Sequence, residues 1–409
     1  MIHKKIGFLL DRSSSIKAYA PVIIESLNRH HQVFILCQNN KNPTYNKNLY
    51  SLSKENLKIP QIEKTDILYF NKSSDLISLI KENEISIVFS LPFREDSFDD
   101  FFQKTDNLNF KLFCLQWYGD HFNMDPKLLD ILDGFFVYSQ ETINSFLKAY
   151  PLSKEKSFKF IPIGFPPRES LNFLANKRII RQQYGISPNQ KVVLLFSLNI
   201  TNKDPFWISR VFGEPNRLKS FLKCLSSGYF KFIWESLFGI KYANIIRIIK
   251  KWCVKNNALL IVKSRPKHSE PDAIKKNSDL IIVDDENWFP HKSFEALVLS
   301  DLSIQFCSSS ILESAVSNIY CLNIFAPKFL NNASRSSFFY RSLFDAPGVS
   351  EFLSYKKIKS FLKKNNLTDL KIIPKKRDEY LLKNTGFLDS LASKRILDYL
   401  EKQEIKSVK

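Results

Sequence analysis

Three consecutive serines, Ser308-Ser309-Ser310, with Glu313 shortly after them, place three hydroxyls and a carboxylate in one short stretch of chain. The run Leu302-Ser303-Ile304-Gln305-Phe306 precedes them and Ile311, Leu312 and Ala315 follow, which reads as strand, tight turn, helix. Unpaired backbone N–H groups at such a turn form an anion site of the kind that holds phosphates. The serine hydroxyls would add donors, and Glu313 could accept two ribose hydroxyls. The competing reading is a plain helix cap, with Ser309 or Ser310 as N-cap and Glu313 in the capping-box position. A second cluster, Lys263-Ser264-Arg265-Pro266-Lys267-His268, closes the apolar run Leu259-Leu260-Ile261-Val262. Ligands bind where α/β strands end, so this cationic cluster with Lys263, Arg265 and His268 stands where a ligand could meet it; a solvated basic loop is the alternative. A third, Trp117-Tyr118-Gly119-Asp120-His121, follows another apolar run and supplies a carboxylate and an imidazole. Either Asp120 or His121 would serve as the base that deprotonates an acceptor hydroxyl. Asp11 is the alternative base, and a helix cap and a polar loop are the non-catalytic readings of the pair.

The elements that must position these groups form a repeating pattern. Apolar runs at 5–10, 32–37, 66–70, 85–91, 111–116, 134–138 and 158–163 alternate with helical stretches, and a second series follows at 191–196, 258–262, 280–284, 302–306 and 319–325. Strands apolar on both faces belong in parallel sheets covered by helices on each side. The expectation is an α/β chain with two Rossmann-like doubly wound domains facing a cleft. Residues 1–175 would form the first domain and residues 176–345 the second, with a basic, aromatic helical insertion at 202–255. Lys-rich helices at 346–409 would pack back across the lobes.

At 409 residues the chain is long enough for two ordinary domains, and 44% hydrophobic with 25% charged residues is the balance of a folded protein. The opening apolar run is shorter than the roughly 7–15 residues of a secretory signal, and none approaches the roughly 20 of a membrane-spanning helix. The six cysteines are scattered singly, as buried, reduced thiols would be. A cytoplasmic protein, peripheral to the inner face of the plasma membrane if it meets a bilayer at all, is expected. The net charge of +19 fits an anionic donor, an anionic membrane surface or nucleic acid, or simply a composition rich in Lys, Asn, Ile and Phe, and charge alone does not choose among them. Residues 217–255, with nine Lys or Arg, one acid and eight aromatics, are the candidate membrane surface, unless those aromatics pack on the second domain. No nucleic-acid recognition motif is visible.

The stretch Ser300-Asp301-Leu302-Ser303-Ile304, Ser308-Ser309-Ser310, Glu313-Ser314-Ala315 resembles the donor-binding segment of GT-B glycosyltransferases. It is similar also to the equivalent segment of nucleotide-sugar 2-epimerases and CDP-glycerol glycerophosphotransferases. The resemblance implies that the serine turn meets the donor phosphates, that Glu313 meets the ribose, and that Lys263, Arg265 and His268 match a cationic loop on the pyrophosphate. It implies transfer of a sugar from a nucleotide-sugar donor to a surface-polysaccharide or lipid-linked acceptor, such as capsule or lipopolysaccharide. No cofactor is expected and, despite Asp284-Asp285-Glu286, no metal. A CDP-alcohol transferase of the same fold is the alternative. A non-catalytic polysaccharide-assembly protein is another, favoured by the absence of glycine from 11–15 and 197–202, where the family carries glycine-rich turns.

Overall fold

The computed structural model describes residues 3–10, 15–38, 59–92, 110–118, 128–197, 242–264, 270–283, 289–306, 308–325, 343–344 and 346–407. The chain divides into two compact units, the first made of Met1–Leu174, Glu286–Phe294 and Asp378–Lys409, the second of Ala175–Asp285 and Glu295–Arg377. No helix among the described residues is long and apolar enough to cross a membrane.

In the first unit the strands are β1 (Lys5–Leu10), β2 (Gln32–Gln38), β3 (Thr65–Phe70), β4 (Ile87–Ser90), β5 (Lys111–Leu115), β6 (Gly134–Val137) and β7 (Phe160–Pro162). They form one parallel sheet in the order β3-β2-β1-β4-β5-β6-β7. Helices α1 (Ile16–Asn28), α2 (Ser73–Glu82), α3 (Leu128–Ile131) and α4 (Gln140–Ala149) belong to it. The core is strongly aromatic: Phe89 stacks on Phe8 and on Phe136, Phe136 stacks on Phe113, and Phe113 is tilted against Phe89, across β1, β4, β5 and β6.

In the second unit the strands are β8 (Lys191–Phe196), β9 (Ala258–Lys263), β10 (Leu280–Ile282), β11 (Leu302–Gln305), β12 (Tyr320–Phe325) and β13 (Ser350–Ser354), again all parallel, in the order β10-β9-β8-β11-β12-β13. Helices α5 (Lys177–Gln183), α6 (Tyr242–Lys255), α7 (Asp272–Asn277), α8 (Lys292–Leu299), α9 (Ser310–Val316) and α10 (Ile358–Lys364) accompany them, and α11 (Pro374–Thr385) and α12 (Ala392–Ser407) close the chain. In each sheet the first strand in sequence is flanked by the second and the fourth, so the winding direction reverses there. In open parallel sheets that reversal opens a crevice at the carboxyl ends of the strands, where ligands bind.

The elements differ from the sequence reading in two places. Ser350–Ser354 is a strand, although the Lys-rich tail beginning there reads as helix; it pairs in parallel with β12, with Ser350 and Leu353 buried and Glu351, Phe352 and Ser354 half-buried. Helix α6 turns Tyr242, Ile245, Ile246, Ile249, Trp252 and Cys253 into the core of the second unit. The aromatic face of 242–255 is therefore not available to a bilayer, while 217–241 lie outside the described residues.

A recurring device sets the register at the amino edge of both sheets. Asp133, Asp279 and Asp301 each stand immediately before a strand and each closes a two-bond ring on its neighbour. Their N–H groups donate to the carbonyls of Leu112, Leu260 and Val192 at 2.8, 2.9 and 2.9 Å. Their Oδ2 atoms accept from the N–H groups of those same residues at 2.8, 2.7 and 2.8 Å. Each carboxylate thus satisfies a backbone donor at the edge opposite the ligand side.

Gly386 separates α11 from α12 at φ 75° and donates to the Leu382 carbonyl at 3.0 Å. A Cβ there would stand 2.5 Å from the Tyr138 carbonyl oxygen, which belongs to backbone and cannot yield easily. Gly386→Ala combines a left-handed penalty with this clash and is expected to lower unfolding free energy by about 2 kcal/mol, read by denaturant titration. A loss near zero would show that the α11–α12 turn relaxes freely.

Candidate functional site

The second unit carries the candidate site. Along β8, β9, β11 and β12 the side chains alternate between two faces. Val193, Leu195, Leu260, Val262, Leu302, Ile304, Phe306, Leu322 and Ile324 share one core cluster with α6. The other face is apolar on β8, is formed by Ser303 and Gln305 on β11, and gains further polar residues toward the carboxyl ends of β9 and β12. There stand Lys263 at 7% exposure, Gln305 at 0% and Asn323 at 0%, with Ser197 and Ser264 buried just past β8 and β9. Buried polar groups are costly unless matched. Their concentration at one edge, around the β8–β11 reversal, marks that edge as the part of the sheet not built for stability alone.

The serine turn lies at this edge. Ser308, Ser309 and Ser310 are half-buried, and Ser308 Oγ lies 3.1 Å from Ser310 Oγ. Ser309 occupies the N-cap position with φ −58° and ψ −12° and makes no side-chain cap hydrogen bond, while Ser308 Oγ accepts from the Ser310 N–H at 3.5 Å. Helix α9 is only seven residues long, so any pull on an anion would come from the hydroxyls and local N–H groups rather than from a long dipole. Glu313 is 3% exposed within α9. Ser314 Oγ lies 3.0 Å from Ser303 Oγ on β11 and donates to the Ser310 carbonyl at 2.9 Å, which fixes α9 against the strand that carries Gln305.

Lys263 ends β9, and its carbonyl accepts from the Ser197 N–H at 3.3 Å. Ser197 Oγ donates to Glu270 Oε1 at 2.6 Å. This brings a carboxylate back to the end of β8 from beyond the basic loop. Arg265 and His268 lie outside the described residues, as do Asp11, Asp120 and His121. Of these ten candidates, Lys263, Ser308, Ser309, Ser310 and Glu313 are therefore placed, all in one unit at the carboxyl edge of one sheet or on the helix leaving it. In the first unit, Tyr118, next to Gly119-Asp120-His121, has φ 44°, with its N–H donating to Tyr138 Oη at 3.0 Å and its carbonyl accepting from Gln116 Nε2 at 2.8 Å. Side chains that grip both backbone groups hold this left-handed residue in place.

Sequence reasoning missed Ser197, Glu270, Gln305 and Asn323. Asn323 carried a usable signal as an amide within the mostly apolar run Tyr320–Phe325, and Gln305 a weaker one, because Ser303 already makes its face of β11 polar. Asp301, which sits in the stretch compared with donor-binding segments, works elsewhere. It is held by Lys177 at 2.7 Å and Arg181 at 2.9 Å and bonds the β8 backbone at the amino edge.

No protein-family profile matches this sequence, and no curated protein matches it in sequence. Solved structures do match in shape. S. aureus MnaA, solved with UDP, aligns at TM-score 0.59 and 11% identity over 97% of this chain and 96% of its own. The wall teichoic acid polymerase TagF aligns at 0.57 and 12% identity over 99% of this chain and 90% of its own. Acinetobacter baumannii MurG aligns at 0.50 and 10% identity, covering 98% and 99% respectively. Two parallel sheets of seven and six strands, each with its winding reversed between the first and fourth strands, and structural neighbours of this kind give the chain the two-domain α/β architecture of the GT-B fold.

Proposed function

We propose that this chain is a glycosyltransferase that binds a nucleotide-sugar donor at the carboxyl edge of the β9-β8-β11-β12 sheet. The observation that carries this reading is the set of buried polar groups Lys263, Ser197, Gln305, Asn323 and Glu313, gathered beside the serine turn where the sheet reverses its winding. Ser308, Ser309, Ser310 and Lys263 meet the diphosphate, with Arg265 and His268 completing the cationic side, and Glu313 accepts from the ribose. Stabilising charge that develops on the departing diphosphate is the electrostatic part of the catalysis. The acceptor, a glycan or a lipid-linked glycan of a surface polysaccharide, binds the first unit, where Asp120 or His121 acts as base. Donor chemistry requires no metal in this reading. Residues 217–241 remain the segment proposed to meet an anionic membrane surface on the inner side of the cell.

Transfer of a polyol phosphate from a CDP-alcohol is the second reading, favoured by a likeness to TagF that spans 99% of the chain. The appearance of phosphorus in the product would separate the two.

The test is a thermal-shift series of the full chain with UDP, CDP, GDP and CMP, since a ligand that binds only the folded state raises the midpoint with the logarithm of its concentration. A base-selective shift is expected, reduced by at least half in Glu313→Ala at the same nucleotide concentration. No shift with any nucleotide at millimolar concentration would sink the donor site.

A further inference from the structure

We propose that the buried amide pair Gln305–Asn323 is a hydroxyl-recognition site of the second unit, taking one alcohol group of the nucleotide-linked donor. The proposal rests on the donor reading above and names a further contact within that same edge.

Gln305 is the last residue of β11 and Asn323 its register partner on β12, and both are 0% exposed. Gln305 Nε2 donates to Asn323 Oδ1 at 2.6 Å. A primary amide carries an oxygen with two lone pairs and two N–H donors. This single bond leaves Gln305 Oε1 and Asn323 Nδ2 without a hydrogen-bond partner. Interchanging nitrogen and oxygen in both amides exchanges the roles and leaves the same remainder, one acceptor and one donor, so the conclusion does not depend on that assignment.

The deficit is local. One step toward the amino edge, on the same face, Ser303 Oγ is engaged with Ser314 Oγ at 3.0 Å and with the Tyr320 carbonyl at 3.3 Å, and Ser314 Oγ also donates to the Ser310 carbonyl. On this face of β11 and β12 the unmatched pair therefore lies toward the carboxyl end, three residues before Ser308 on the connection that forms the serine turn. Buried polar atoms left unmatched are rare and call for a specific reason. A pair of apolar side chains of similar size would fill the same space without the penalty.

The remainder itself selects the ligand chemistry. One unmatched acceptor atom and one unmatched donor atom match a hydroxyl, the smallest group that both donates and accepts. A phosphate oxygen would accept from Asn323 and meet Gln305 Oε1 as a second acceptor; an ammonium would donate to Gln305 and leave Asn323 unmatched. Gln305 and Asn323 close on one another, and rotation of the Gln305 side chain would open the pair to the crevice. The hydroxyl comes either from the ribose or from the group being transferred.

The experiment is calorimetric titration of the full chain with UDP, CDP, UDP-N-acetylglucosamine and CDP-glycerol. It compares wild type with Gln305→Met/Asn323→Leu, which removes both amides together and leaves no orphan, with Asn323→Ser as a milder change should the double variant not fold. The expected result is binding weakened about tenfold or more in the variants. Weakening toward UDP or CDP themselves assigns the ribose; weakening confined to UDP-N-acetylglucosamine or CDP-glycerol assigns the transferred group. Unchanged affinity in a variant, while Glu313→Ala loses binding, overturns the hydroxyl site and leaves the donor reading standing, as would follow if a trapped water completed the pair. Failure of wild type to bind any of the four overturns both.

Discussion

Asp301→Ala will destabilise the second unit by about 3 kcal/mol and leave the intrinsic nucleotide affinity of the folded protein unchanged. Asp301 carries several structural loads at once. Its Oδ2 accepts from the Val192 N–H at 2.8 Å and from Arg181 Nη2 at 2.9 Å, and its Oδ1 accepts from Lys177 at 2.7 Å. Arg181 is 3% exposed, with its other N–H groups already committed to the carbonyls of Leu299 and Pro188. Removing the carboxylate strands a buried guanidinium and a backbone N–H together, and truncating one partner of a buried pair costs far more than the pair itself is worth. For a unit of this size the thermal midpoint should fall by about 6–12 °C. Asp301→Asn keeps an oxygen for Val192 and should lose less. The contrast with Glu313 is the informative part, because Glu313→Ala is expected to lose nucleotide binding at little cost in stability. If Asp301→Ala melted like wild type but no longer bound nucleotide, the assignment of this residue to the amino edge would be wrong.

The same residue shows where sequence reasoning succeeds and where it stops. The order of strands and helices was legible because parallel strands buried on both faces are continuous apolar runs, and β1 and β8 fall on the runs read for them. The serine turn was legible because hydroxyl residues interrupt an apolar rhythm. Asp301, in contrast, stands a few residues before that turn and looks like part of it. A strand of four residues, β11, separates the two, so the carboxylate lies at one edge of the sheet and the serines at the other. Spacing along the chain carries no sign of that separation until the strand direction is known. The device also recurs at Asp133 and Asp279, each an aspartate just before an apolar run, and that repetition is the signal that could have marked it as structural. Strand β13 escaped because its sequence, Ser350-Glu351-Phe352-Leu353-Ser354, leads into a Lys-rich stretch whose composition favours helix. The Gln305–Asn323 pair was beyond reach for another reason: the two residues are 18 apart in sequence, and only strand register brings them together.

Stability of the wild-type protein should fall as pH rises from about 4.5 to above 7, and Glu169→Gln should remove most of that slope. Glu169 belongs to the 3-10 segment Pro166–Phe173, is 7% exposed, and receives the first turn of α12. Ser393 N–H donates to its Oε1 at 2.8 Å, and Ser393 Oγ donates to its Oε2. Burial raises its pKa to about 7, with a smaller push from Glu25, and outweighs the hydrogen bonds from Ser393, which favour the charged form. A folded-state pKa above the unfolded value of 4.5 means that the folded chain keeps a proton the unfolded chain releases. Its stabilising contribution is complete below 4.5 and is lost as pH rises through 7, by about 3 kcal/mol in all. His31 tilts the curve the other way: burial lowers its pKa, so it contributes stability that is lost as pH falls. The quantity to follow is therefore the difference between wild type and Glu169→Gln in denaturant midpoints from pH 5 to 8, in which the His31 contribution cancels. Wild type should be the more stable at pH 5, where a protonated carboxyl still accepts from Ser393, and should lose that advantage by pH 8. A difference that stays flat across this range would mean that Glu169 is ionised throughout, held so by Ser393 and the amino end of α12.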